Sequence, residues 1–198
     1  MRAARACLLL LAAALALPAH AQDAALVRAA RAQVGVTTTY DPRYVRIPYP
    51  GGDVPLERGV CADVVIRALR RQGIDLQRLV HEDMRGHFAA YPRAWGLRKP
   101  DPNIDHRRVL NLETYFRRRG FALRGTFEPA DFRPGDIVSW RLPGNLPHIG
   151  IVSDRLAADG SGRPLVIHNV GHGAREEDAL YAWPQAGHFR MRPARGGR

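Results

Sequence analysis

Two stretches decide the fold: residues 134–154, PGDIVSWRLPGNLPHIGIVSD, and residues 164–169, PLVIHN. Pro134 and Gly135 make a tight turn into an Ile- and Val-rich run, and a second run opens at His148. Such runs bounded by Gly and Pro predict strands over Asp136 to Arg141, His148 to Asp154 and Arg163 to Val170. Asp159-Gly160-Ser161-Gly162 is strong turn chemistry, so the last two should form an antiparallel hairpin. A hairpin centred on residue 158 sets His148 directly opposite His168, with Cβ atoms about 4.5–5.5 Å apart. A slip of one residue would bring Asn169 to that face instead. A fourth strand is expected over His188 to Arg192.

Upstream of these strands the apolar period is helical. Asp23 to Val34 predicts a helix with Asp23 as N-cap and Gly35 at its end. Seven Pro and Gly residues between 36 and 60 predict a long shaped loop. Further helices are expected from Cys61 to Gln72, Leu79 to Ala90 and Asn111 to Arg119. Helices first and antiparallel strands afterwards make an α+β order.

The first 21 residues, MRAARACLLLLAAALALPAHA, read as a signal peptide. A basic start precedes an apolar run, and Ala19-His20-Ala21 precedes a cleavage point before Gln22. The apolar run is too short to span a bilayer core of about 30 Å. The expected product is one exported domain, residues 22–198, periplasmic or secreted and monomeric, with no later membrane-spanning segment. The net charge is +11, or +9 once Arg2 and Arg5 leave with the leader, and it is almost all arginine, Lys99 being the one lysine. That charge suits an anionic envelope. Export and the lack of a recognition motif exclude nucleic acid. Losing Cys7 leaves Cys61 alone, so no disulfide can form within the exported chain.

Cys61 would start its helix and share a face with Val65 and Ala68. The helix dipole there is worth about 0.3–1 kcal/mol, less than the ~1.4 kcal/mol of one pKa unit. A reactive thiolate would therefore need an imidazolium beside it. Two opposed imidazoles could serve as a base and its orienting partner. Asp136 reads as a turn residue; His172 and His188 flank glycines and are better suited to loops than to a pocket.

Together these residues resemble the NlpC-type branch of papain-like cysteine peptidases and amidases. The chain is still more similar to an uncharacterised bacterial envelope family within that superfamily. It shares GVCADVVIRALRRQGIDLQ, PDPNIDHRRVLNL, PGDIVSW, HIGIV and IHNVG, spread from about Tyr40 to Arg192. The resemblance implies a papain-like fold, with the Cys helix packed on the antiparallel sheet, and a Cys-His-His triad. Cys61 would be the nucleophile, His148 the general base and His168 the orienting residue, with Asn169 the alternative in the third position. The substrate class it implies is an amide, most naturally in peptidoglycan peptides, with hydrolysis or acyl transfer as the reaction. Typical cell-wall members carry Asp-Cys-Ser at the nucleophile, whereas here the run is Val60-Cys61-Ala62-Asp63. On a helix Asp63 points about 200° away from Cys61, as a first-turn anion and not a substrate ligand.

Asp105-His106-Arg107-Arg108 is a candidate substrate groove, its arginines suited to a carboxylate. HEDMRGH, residues 81–87, fails as a zinc box because the position four after His81 is Arg85. No metal and no cofactor is expected. The rival function is a non-catalytic envelope module that binds wall peptide or an anionic polymer.

Overall fold

The computed structural model describes residues 19–125 and 127–191. Helix α1 spans Ala19–Arg31, strand β1 Thr39–Tyr40, strand β2 Arg58–Gly59 and helix α2 Cys61–Arg70. Helix α3 is Leu76–His87 and helix α4 Val109–Arg118. Five strands follow: β3 Ile137–Leu142, β4 Leu146–Leu156, β5 Pro164–Asn169, β6 Ala174–Glu177 and β7 Gln185–Phe189. The fold is α+β. Most of the expected leader, residues 1–18, lies outside the described residues. Helix α1 begins at Ala19, four residues before the expected cap at Asp23, on helix-favouring alanines. It ends early because Gln33 and Val34 donate to Ala30 and Arg31, an i to i−3 tightening that runs into Gly35 at φ +78°.

The sheet runs β6-β5-β4-β3-β7 and is antiparallel throughout. Strand β6, whose sequence is Ala174-Arg175-Glu176-Glu177, has no apolar alternation to announce it. It exists because β5 offers it an open edge. The last strand lies at 185–189, earlier than the expected 188–192. Side chains alternate across the sheet. Ile137, Ile149, Ile151, Ile167 and Phe189 pack against the helices, while Val138, Trp140, Val152 and Val166 pack with Phe132 and Leu180 on the other face.

Helix α2 lies at the centre, and every residue from Cys61 to Leu69 is buried. Burying Val64, Val65 or Ile66 stabilises the fold by about 1.5–3 kcal/mol each. Its one buried cation, Arg67, donates to Asp53, to Thr37 and to the carbonyls of Val54, Pro55 and Arg58. The expected long loop before Cys61 is thus tied to the helix that follows it. It also contains a short parallel pair, β1 with β2, that its Pro and Gly content did not suggest. Among the described residues no helix is long and apolar enough to cross a membrane.

Candidate active site

Cys61 is the first residue of α2 and is buried, with a free thiol. Val60, extended at φ −111°, caps the helix, and Asp63 reaches back to accept from the Val60 N–H at 2.7 Å. Burial pushes the thiol up to about 12, against a smaller opposing pull from the backbone N–H of Ile149 on β4. The sulfur therefore lies beside the residue that follows His148. The hydroxyl of Tyr40 is also near it, and burial together with the thiol and Asp63 raises Tyr40 to about 12.

The two histidines meet, though not in the expected register. Strand β4 pairs with β5 so that Gly150, not His148, faces His168. The slip is two residues, so both imidazoles stay on one face as diagonal neighbours. Gly150 makes the diagonal possible: a Cβ there would lie 3.0 Å from the His168 Cβ and from the Ile167 carbonyl. With that space open, His148 Nε2 and His168 Nδ1 come to 2.7 Å. The hairpin turn is centred beyond residue 158, with Leu156 facing Pro164, and the bulge between Val152 and Leu156 takes back part of that shift.

Glu177 on β6 completes the row. Its Oε1 is 2.8 Å from His168 Nε2, so that nitrogen carries the proton and donates. Burial lowers the proton affinity of both imidazoles, with Glu177 opposing at His168, and takes His148 down to about 3. Two neutral rings leave one arrangement. His168 Nδ1 accepts, His148 Nε2 donates, and His148 Nδ1 is left as a bare base. Trp140 and Trp183 pack on His148 with ring centroids 5.6 Å away, which keeps water off the pair.

Asn169 points elsewhere. Its Nδ2 donates to the Gly59 carbonyl at 3.1 Å, anchoring the end of β5 to the segment before Cys61. The structure thus puts His168, not Asn169, on His148. Among the described residues no hydrogen bond joins the thiol to an imidazole. Cys61 packs with Ile149 on the helix face of β4, whereas the His148 ring stands on the Trp140 face, so the structure holds no imidazolium against the thiol.

The candidate groove residues separate. Asp105 and His106 are buried away from the cavity, and burial pushes Asp105 up to about 6 and His106 down to about 4. Arg107 and Arg108 do line a cavity of about 340 Å³ together with Cys61, Tyr40, Tyr44 and Trp95. Arg107 is fully engaged, its guanidinium gripping Asp63 at 2.9 and 2.8 Å. Asp63 is therefore more than a first-turn anion: it is one half of a buried ion pair tying α2 to the segment before α4. Pro147 also lines the cavity, with His148 next to it in the chain.

His188 lies in a strand, as the expected fourth strand had it, and not in a loop. It is a buried residue of β7, 2.7 Å from Asp136, and its ring lies 4.4 Å from that of Phe132. Asp136 serves the turn as expected, accepting from the Arg133 N–H, and in addition binds Arg190. His172 is exposed in the β5–β6 connection. Tyr40, Glu177 and Trp183 were not anticipated. Only for Glu177 did a signal exist, as a carboxylate at the end of an Ala-Arg-Glu-Glu run.

A family model described as a domain of unknown function (DUF1287) matches residues 27–191. The uncharacterized protein YijF of Escherichia coli (strain K12) is 60% identical over 166 residues, covering 84% of this chain and 80% of that protein.

Proposed function

The chain belongs to the DUF1287 family, and from its own residues we propose that it is an exported cysteine hydrolase of amide bonds, with a papain-like NlpC-type fold and peptidoglycan peptides as its substrate class. The observation that carries this reading is the row Glu177–His168–His148, whose last member precedes in the chain the residue whose N–H abuts the Cys61 thiol. That row makes a base of defined tautomer, as an acyl-transfer centre requires.

The chemistry follows from two neutral partners. His148 Nδ1 takes the thiol proton as the sulfur attacks the carbonyl carbon, and the carbonyl oxygen becomes an oxyanion. The N–H of Cys61, at a helix start whose first N–H groups lack intrahelical acceptors, is the donor placed to receive it. The C–N bond then breaks, with the proton passing from His148 to the departing amine. Water, deprotonated by the same nitrogen, cleaves the thioester and returns the thiol; an amine in its place would give transfer. On this reading the His148 ring must swing from the Trp140 face at the start of β4 to reach the thiol when substrate binds.

The test is mass spectrometry of purified sacculi and of soluble muropeptides incubated with the protein and with Cys61→Ala. Loss of one amide bond in the first sample alone is expected and names the substrate. Binding to sacculi without cleavage by either protein would overturn the enzyme in favour of a binding module.

A further inference from the structure

Two adjacent arginines line the same cavity, and only one of them is held by hydrogen bonds to a carboxylate. Arg107 spends its guanidinium on Asp63 and reaches the carbonyls of Asp41 and Arg43. Arg108 sits at the start of α4 with its guanidinium 4.2 Å over the Trp95 ring. The nearest carboxylate to it is Asp105 at 3.6 Å, too far for a hydrogen bond. Arg108 Nη1 and Asp105 Oδ1 are both buried without a hydrogen-bond partner. Burial lowers the proton affinity of Arg108, while Asp105 and Asp101 oppose without cancelling that effect.

The cavity lining contains these two guanidiniums and no carboxylate. Tyr40, Tyr44 and Trp95 supply flat walls, and the Tyr44 hydroxyl is held by Asp101 at 3.0 Å. A planar, aromatic-backed guanidinium with unspent donors matches a planar two-oxygen acceptor.

We propose that Arg108 is the specificity residue of this cavity and binds a free carboxylate carried by the substrate next to the amide at Cys61. The proposal rests on the hydrolase reading for what happens at the thiol, but carboxylate binding itself needs no thiol. It excludes uncharged peptide amides as preferred ligands, and it leaves Arg107 a structural role.

The test uses N-acetylalanine as the probe, an amide beside a free carboxylate, titrated into the full chain while tryptophan fluorescence is followed. A saturable change is expected that is absent in Trp95→Phe, at least about ten-fold weaker in Arg108→Gln, and partly restored in Arg108→Lys, which keeps charge but not the fork. The methyl ester of the probe should give no change. Equal responses to the ester or to inorganic phosphate, or native affinity in Arg108→Gln, would overturn the carboxylate assignment. So would the absence of any response to the acid. The same titration on Cys61→Ala separates the two readings: carboxylate binding there with no cleavage of any wall peptide by the native chain would sink the hydrolase and spare Arg108. As a second measurement, mass spectrometry reads alkylation at Cys61. The rate ratio of iodoacetate to iodoacetamide should fall about ten-fold in Arg108→Gln, and an unchanged ratio would count against the proposal.

Discussion

The sheet holds two buried histidine–carboxylate sites, and they are built to opposite ends. At one, Asp136 is wholly buried and shared between His188 and Arg190, so the acid meets a permanent cation as well as an imidazole. That site has no unspent partner; it clamps β7 to the turn before β3. At the other, the acid is Glu177, whose side chain is 40% exposed, and among the described residues no arginine forms an ion pair with it. His168 lies between Glu177 and His148, and the far nitrogen of His148 is left without a proton. The contrast teaches that a buried histidine is a strut when its carboxylate is shared with a permanent cation, and that a fixed tautomer leaves a nitrogen open when no such cation is paired there.

The sharpest break of that comparison is at the reactive end. Cys61→Ala and His148→Ala should each lower turnover of the wall substrate by about 10³-fold or more, as loss of a nucleophile or base does. Both variants should keep a melting temperature near that of the native protein. Gly150→Ala should lower turnover by about 10²-fold by driving the His168 ring off His148; native kinetics in this variant would show that the diagonal contact is idle.

The clamp should answer in stability instead. Asp136→Ala should cost about 3–5 kcal/mol in denaturant unfolding, because it strands the partly buried Arg190 guanidinium, leaves the buried His188 unpaired and breaks the turn. Turnover per folded molecule should stay native; a loss of kcat at full folding would erase the distinction between the sites. Glu177→Gln should be milder, about ten-fold or less in kcat, since an amide oxygen can still hold the His168 tautomer.

The pH dependence follows from burial. An unfolded histidine titrates near 6.5, whereas His148 is taken down to about 3 and His106 to about 4. Below about pH 6.5 the unfolded chain binds protons that these two folded residues refuse. Their contribution to stability is therefore complete above that point and is lost as pH falls toward the folded values, at up to ~1.4 kcal/mol per unit for each group. Unfolding midpoints measured from pH 7 to 4 should fall accordingly. Over the same range kcat/KM should show no inflection near 6.5, the smallest effect expected. A bell-shaped profile centred there would mean that the site works as a thiolate–imidazolium pair.

Much of this protein was legible before its tertiary structure. Helix α2 begins at Cys61 as the apolar spacing required, and β3 to β5 fall within a few residues of their Ile- and Val-rich runs. These are local properties, set by side-chain period and by turn residues. The alternation of a strand is also enough to place His148 and His168 on one face, and this survived a two-residue error in register because the period is two. What lay beyond the sequence was every contact between segments with no shared period. The bulge after Val152, the edge strand carrying Glu177, the engagement of Arg107 by Asp63 and the unmade hydrogen bond at Arg108 Nη1 all depend on which element fills the space beside them. The thiol at the start of α2 was evident from the chain alone. Only packing decided that Cys61 and His148 are both uncharged, because burial, and not residue type, sets the cost of their charge.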